Sequence, residues 1–160
     1  MQDNNLKLNQ VKLIILTIFF IMLQLIINSI SKIYIDLLGV LLVTVLVNQL
    51  YGYRQLIIIA FIADLIGHWY LGTHLFAIVL ISFLTDKTYN YFKITNYLQK
   101  NISIIIYYSL FSLIIGGISL LTHNIQINFL SFIIEACILC PCIFLVICKI
   151  FNNKSPDILY

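Results

Sequence analysis

The chain has 160 residues, of which 62% are hydrophobic and only 9% charged. A soluble domain carries about 25% charged residues, and a single core of this length cannot hide so much apolar surface from water. The net charge of +3 is too small to point to nucleic acid, so lipid is the solvent that suits this composition.

A membrane crossing needs about 20 apolar residues. The first apolar run, 13–31, follows Lys7 and Lys12. It is too long for the apolar region of a secretory signal, and no small-residue cleavage site follows it, so a retained first helix is expected. Within it Thr17, Gln24, Asn28 and Ser31 recur at helical spacing and form a polar stripe expected to face the bundle. The second run is 34–51, opened by Asp36.

The next apolar stretch is too long for one helix. Gly67 and Gly72 divide it into a short segment, 55–67, and a second, 71–85. The pair reads either as two tilted spans or as a re-entrant hairpin, and both options leave the sidedness of the rest unchanged. A loop over 86–101 carries Lys87, Lys93 and Lys100 among Tyr89, Tyr91, Phe92 and Tyr97, as a stretch lying in the membrane interface would. The runs 102–122 and 129–150 complete the count. Placing the N-terminus in the cytoplasm puts Lys7, Lys12, Arg54, Lys87, Lys93, Lys100, Lys149 and Lys154 inside and Lys32 alone outside. This is the asymmetry of the positive-inside rule. The expectation is an all-α polytopic membrane helix bundle forming a single domain, with about six transmembrane segments and both termini cytoplasmic.

Carboxylates inside lipid are costly and need a reason. This topology places Asp36, Asp64 and Glu135 in the outer half of the membrane, with His68, His74 and His123 on or near the same side. Carboxylate and imidazole together suit a divalent ion or a proton site. The spacing contains no metal-binding unit, so a structural polar cluster is preferred and no metal or cofactor is expected. Cys137, Cys140 and Cys142 superficially resemble a redox or zinc motif, with Cys148 nearby. All four lie within the last apolar run, where thiols behave as small hydrophobes, and no second pair completes a tetrahedral site. Pro141 is expected to kink that helix. In the fifth segment Ser109, Ser112, Gly116 and Ser119 share one face, which suits close helix packing. That face could serve a partner, a second copy of the chain, or the bundle itself. No phosphate-binding loop, nucleophile elbow or HExxH unit is present, so an enzyme is not expected and no catalytic residue is assigned.

The stretch from Ala60 to Leu75 contains Asp64, then Gly67, then Leu71–Gly72, with the second glycine eight residues after the acid and Ala60 and Ala63 before it. In this register it resembles the MreD family of bacterial rod shape-determining membrane proteins. Chain length, the basic N-terminus and a last apolar run with Pro141 ending in Lys149 also fit. His68 stands where the family often has glycine, and Ala136 where it often has a polar residue. The resemblance implies a non-enzymatic scaffold of the inner membrane that binds MreC. Through that complex it would link MreB filaments to peptidoglycan synthases. It also implies a six-helix arrangement similar to the substrate-binding subunits of energy-coupling-factor transporters. That likeness supplies the rival reading, a subunit for uptake of a vitamin or metal ion with the outer acid and histidine cluster as its pocket. In the scaffold reading Asp64 beside its glycines is expected to act as a structural lock on the turn.

Overall fold

The computed structural model describes residues 2–31, 34–49, 53–67, 71–92, 96–121 and 129–151. Most of these residues are helical, and no strand occurs among them. The helices are α1 (Gln2–Ile30), α2 (Leu37–Val47), α3 (Tyr53–Ile66), α4 (Thr73–Phe92), α5 (Tyr97–Leu121), α6 (Phe129–Ile134) and α7 (Cys140–Phe151). A π-helical turn, Glu135–Leu139, joins α6 to α7 without a break.

Three helical stretches are long and apolar enough to cross a membrane: Val11–Ile30, Tyr97–Leu121 and Leu130–Phe151. At 1.5 Å per residue the shortest of them, 20 residues, extends about 30 Å, the thickness of a bilayer core. Their outward faces carry large apolar side chains, including Ile15, Phe19, Leu113 and Leu145. In water this would be a liability; in hydrocarbon it costs nothing.

The second expected segment, 34–51, is shorter as a helix. Only Leu37–Val47 is helical, 11 residues, which is about 16 Å and half of a bilayer core. Its ends explain the shortening. Asp36 caps the first turn, its carboxylate accepting from the Gly39 N–H. At the other end Asn48 and Gln49 donate back to Thr44 and Leu46, and Gln49 adopts the left-handed conformation that closes a helix. All 11 residues of α2 are buried, because α1, α3, α4, α5, α7 and the π turn all pack around it. Its sequence, Leu-Leu-Gly-Val-Leu-Leu-Val-Thr-Val-Leu-Val, is apolar all round, as a wholly enclosed helix requires.

Other boundaries move as well. The helix expected over 71–85 continues to Phe92, and α5 begins at Tyr97. Most of the stretch read as the loop 86–101 is therefore helical extension. The hydroxyls of Thr88 and Tyr107 pair across α4 and α5 and tie the extension of α4 to α5. The apolar run 13–31 lies in a longer helix that begins at Gln2.

In the last helix the wide turn answers the expectation of a kink at Pro141. Proline has no N–H to donate to the carbonyl four residues back. The Cys140 N–H instead reaches five residues back to the Glu135 carbonyl. The extra residue thus taken up is a π-bulge. Near the end of α7, Lys12 of α1 donates to the Ile150 carbonyl at 3.1 Å. This supplies a partner and a positive charge where a helix end is short of both.

Candidate functional site: a buried acid–histidine clasp

The first turn of α2, the end of α3, the start of α4, the middle of α5 and the π turn meet in one buried cluster. Asp64, the last acidic residue of α3, is 1% exposed. Its carboxylate closes the α3–α4 turn by accepting from four donors. Oδ2 takes the Gly72 N–H at 2.7 Å. Oδ1 takes the Thr73 hydroxyl at 2.7 Å, the His74 N–H at 2.9 Å and the His74 ring at Nδ1, 2.7 Å. Several of these are the unpaired N–H groups that every helix start presents, and a carboxylate there also faces the positive end of the α4 dipole. Gly72 has φ +98, a left-handed conformation that glycine adopts without a Cβ clash. That turn brings its N–H onto Asp64.

His74 is fully buried. Its second ring nitrogen, Nε2, lies 2.8 Å from Asp36 Oδ2, and Phe111 of α5 packs edge-on against the ring at 5.6 Å between centroids. Asp36 thus has two tasks: its Oδ1 caps α2 through Gly39 and its Oδ2 holds the histidine. Gly39 permits this arrangement. A Cβ there would come within 2.2 Å of Asp36 Oδ2 and 2.8 Å of the Phe111 ring.

Glu135, 5% exposed, completes the cluster from the π turn. Oε1 accepts the Asp36 N–H at 2.7 Å and Oε2 accepts the Tyr108 hydroxyl at 2.7 Å. The α1 helix braces the same connector from the other side. Gln24 accepts from the Leu38 N–H and donates to the Tyr34 hydroxyl. Asn28 makes a reciprocal pair with the backbone of Ile35.

Of the residues singled out in the sequence, Asp36, Asp64, His74 and Glu135 therefore share one hydrogen-bonded network, and Gly72 donates into it. Gly67 closes α3, its N–H bonded to the Ala63 carbonyl, and takes no part in the network. Leu71 is exposed. His68 and His123 lie outside the described residues. Pro141 acts on the site through the π turn that carries Glu135. On α5, Ser109 and Ser119 bond back to the carbonyls of Ile105 and Gly116. Ser119 is buried, whereas Ser109, Ser112 and Gly116 are half-buried along the flank of the helix. Cys137 and Cys142 are exposed and Cys140 is buried, so the three do not face one another.

Sequence reasoning did not single out Gly39, Thr73 or Tyr108 for the network. Gly39, three residues after Asp36 in an otherwise large-residue helix, was the one available signal, since a capping acid accepts from the residue two or three places on. Tyr108 carries no such signal, because it reaches Glu135 only through tertiary packing. Chemically, the arrangement is filled by its own members. Both ring nitrogens of His74 face carboxylates, so neither offers a lone pair to a metal. Among the described residues no group of three or more His, Cys, Asp or Glu side chains is placed to hold a metal ion. Comparison of the chain with protein-family models, with curated proteins and with solved structures yields no match in any of the three.

Proposed function

We propose that this chain is a non-enzymatic scaffold of the bacterial inner membrane, acting as MreD-family proteins do in the cell-elongation machinery. In this reading it binds MreC and, through that complex, links MreB filaments to peptidoglycan synthases. The observation that carries the proposal is the hydrogen bond from the Gly72 N–H to Asp64 Oδ2. The motif behind the resemblance is an acid followed eight residues later by glycine, and that spacing has a physical use here. The acid and the glycine are the two ends of the turn's closing bond.

The proposal extends to topology. Six crossings with both termini cytoplasmic, in an arrangement like that of energy-coupling-factor substrate-binding subunits, would keep the basic residues inside. The enclosed α2 would then be a half-length segment shielded from lipid by its neighbours. The alternative, an uptake subunit for a vitamin or metal ion, would use the same cluster as a pocket. Against it stands the use already made of those groups. The carboxylates of Asp36, Asp64 and Glu135 and both nitrogens of His74 are engaged within the fold.

Copurification tests the choice. Detergent-solubilised, affinity-tagged protein from its own host is expected to bring down MreC. Recovery of a stoichiometric vitamin or metal ion, with no MreC, would overturn the scaffold reading.

A further inference from the structure

The geometry of His74 fixes a proton count. A neutral imidazole has one N–H donor and one bare lone pair, and an ionised carboxylate has no donor at all. His74 Nδ1 lies 2.7 Å from Asp64 Oδ1 and Nε2 lies 2.8 Å from Asp36 Oδ2. If both acids were ionised and the ring neutral, one of these contacts would set lone pair against lone pair at hydrogen-bond distance. The site is buried, so water would not screen that repulsion.

We propose that the Asp36–His74–Asp64 triad binds one proton beyond that of a neutral imidazole between two carboxylates, and that this proton lies on the line from His74 Nε2 to Asp36 Oδ2. The two acids are not equally placed for it. Besides the ring, Asp64 accepts from the Thr73 hydroxyl and the His74 N–H at Oδ1 and from the Gly72 N–H at Oδ2. Each of these bonds favours the ionised carboxylate, so Asp64 is ionised and Nδ1 carries a proton. Asp36 accepts only the Gly39 N–H at Oδ1 besides the ring, and its Oδ2 faces Nε2.

The surroundings make the proton consequential. Among the described residues, the titratable groups around the triad are Glu135 on the π turn, Tyr108 on α5 and Cys140 at the start of α7, with the Phe111 ring covering the imidazole. Among the described residues no lysine or arginine side chain is hydrogen-bonded to the cluster's carboxylates. The proton is thus what allows two acids on separate elements to share one ring. Its loss would leave the start of α2 and the α3–α4 turn repelling each other across His74. The clasp is therefore a proton-binding site that joins elements. This inference rests on the geometry of the triad and is independent of the scaffold proposal.

Nitrogen-15 NMR of the histidine-labelled full chain in phospholipid nanodiscs tests it. Replacing His68 and His123 with glutamine leaves His74 as the single signal, since the chain has three histidines. Should that background not fold, the difference between the unsubstituted protein and H74Q identifies the same signal. Two protonated ring nitrogens are expected. One protonated nitrogen together with an infrared protonated-carboxyl band that Asp36→Asn removes would place the proton at the other end of the same line. Asp36→Asn offers an amide donor to Nε2, so it is expected to convert the ring to the neutral form protonated at Nδ1. A neutral ring with no protonated-carboxyl band from Asp36 would overturn the proposal.

Discussion

Asp36 performs two jobs with one carboxylate, and Gly39 sets the space in which it does so. A methyl group at Gly39 would lie 2.2 Å from Asp36 Oδ2, and the nearby Phe111 ring leaves the helix little room to retreat. Gly39→Ala is therefore expected to lower stability by about 1–3 kcal/mol, the usual range for overpacking. Glu135 offers a graded comparison. Glu135→Gln keeps an acceptor for the Asp36 N–H, and the Tyr108 hydroxyl can turn to accept from the new amide, so a loss of only about 1 kcal/mol is expected. Glu135→Ala leaves two buried donors unpaired, each costing about 1–3 kcal/mol. Thermal unfolding in detergent, followed by fluorescence-detected size exclusion, should rank wild type above Glu135→Gln above Glu135→Ala. At this scale the acids and His74 were legible in the sequence, because ionisable side chains in an apolar run demand partners. Their pairing was not, because Asp36 and Glu135 are 99 residues apart and no local pattern registers that contact.

At the scale of elements the informative features are the two departures from plain helix. The sequence marks α2 as apolar throughout, but a uniform apolar run has no period to reveal where the helix stops. Its length was set by Asp36 at one end and the left-handed Gln49 at the other. In the last helix Pro141 signalled a distortion and its position. It did not signal that the preceding turn would widen, nor that the wide turn would open on Glu135, whose carboxylate meets Tyr108. The π turn holds one residue more than an α-helix needs there. Deleting Ile138, an exposed residue of that turn, is expected to restore α-helical register. A π turn spends five residues where an α-helix spends four, so after the deletion the flanking helices keep their faces and Glu135 stays directed at the cluster. The deletion is expected to destabilise the protein far less than Glu135→Ala, read by the same thermal unfolding in detergent. A deletion variant as unstable as Glu135→Ala would show that the wide turn does more than absorb one residue.

For the whole molecule, composition alone pointed to lipid, and the three long apolar helices agree with it. The bundle is built around an enclosed half-length helix, and the buried acid–histidine cluster among the described residues is a network closed on its own groups. Such a network suits a protein whose task is to hold a shape and present surfaces to partner helices. It also predicts how mutations there act. Asp64→Ala removes the acceptor of four hydrogen bonds and strands one side of His74, a loss of about 3–5 kcal/mol for a broken buried ion pair. Under the scaffold proposal the most direct measurement is made in a rod-shaped host carrying Asp64→Ala as the sole copy. Cell shape is scored against the amount of folded protein in the membrane. A structural clasp in a scaffold predicts round or swollen cells with folded protein reduced in proportion, and recovery of rods when expression is raised. Full abundance of folded protein with rod shape still lost would contradict the account and give Asp64 a direct role instead.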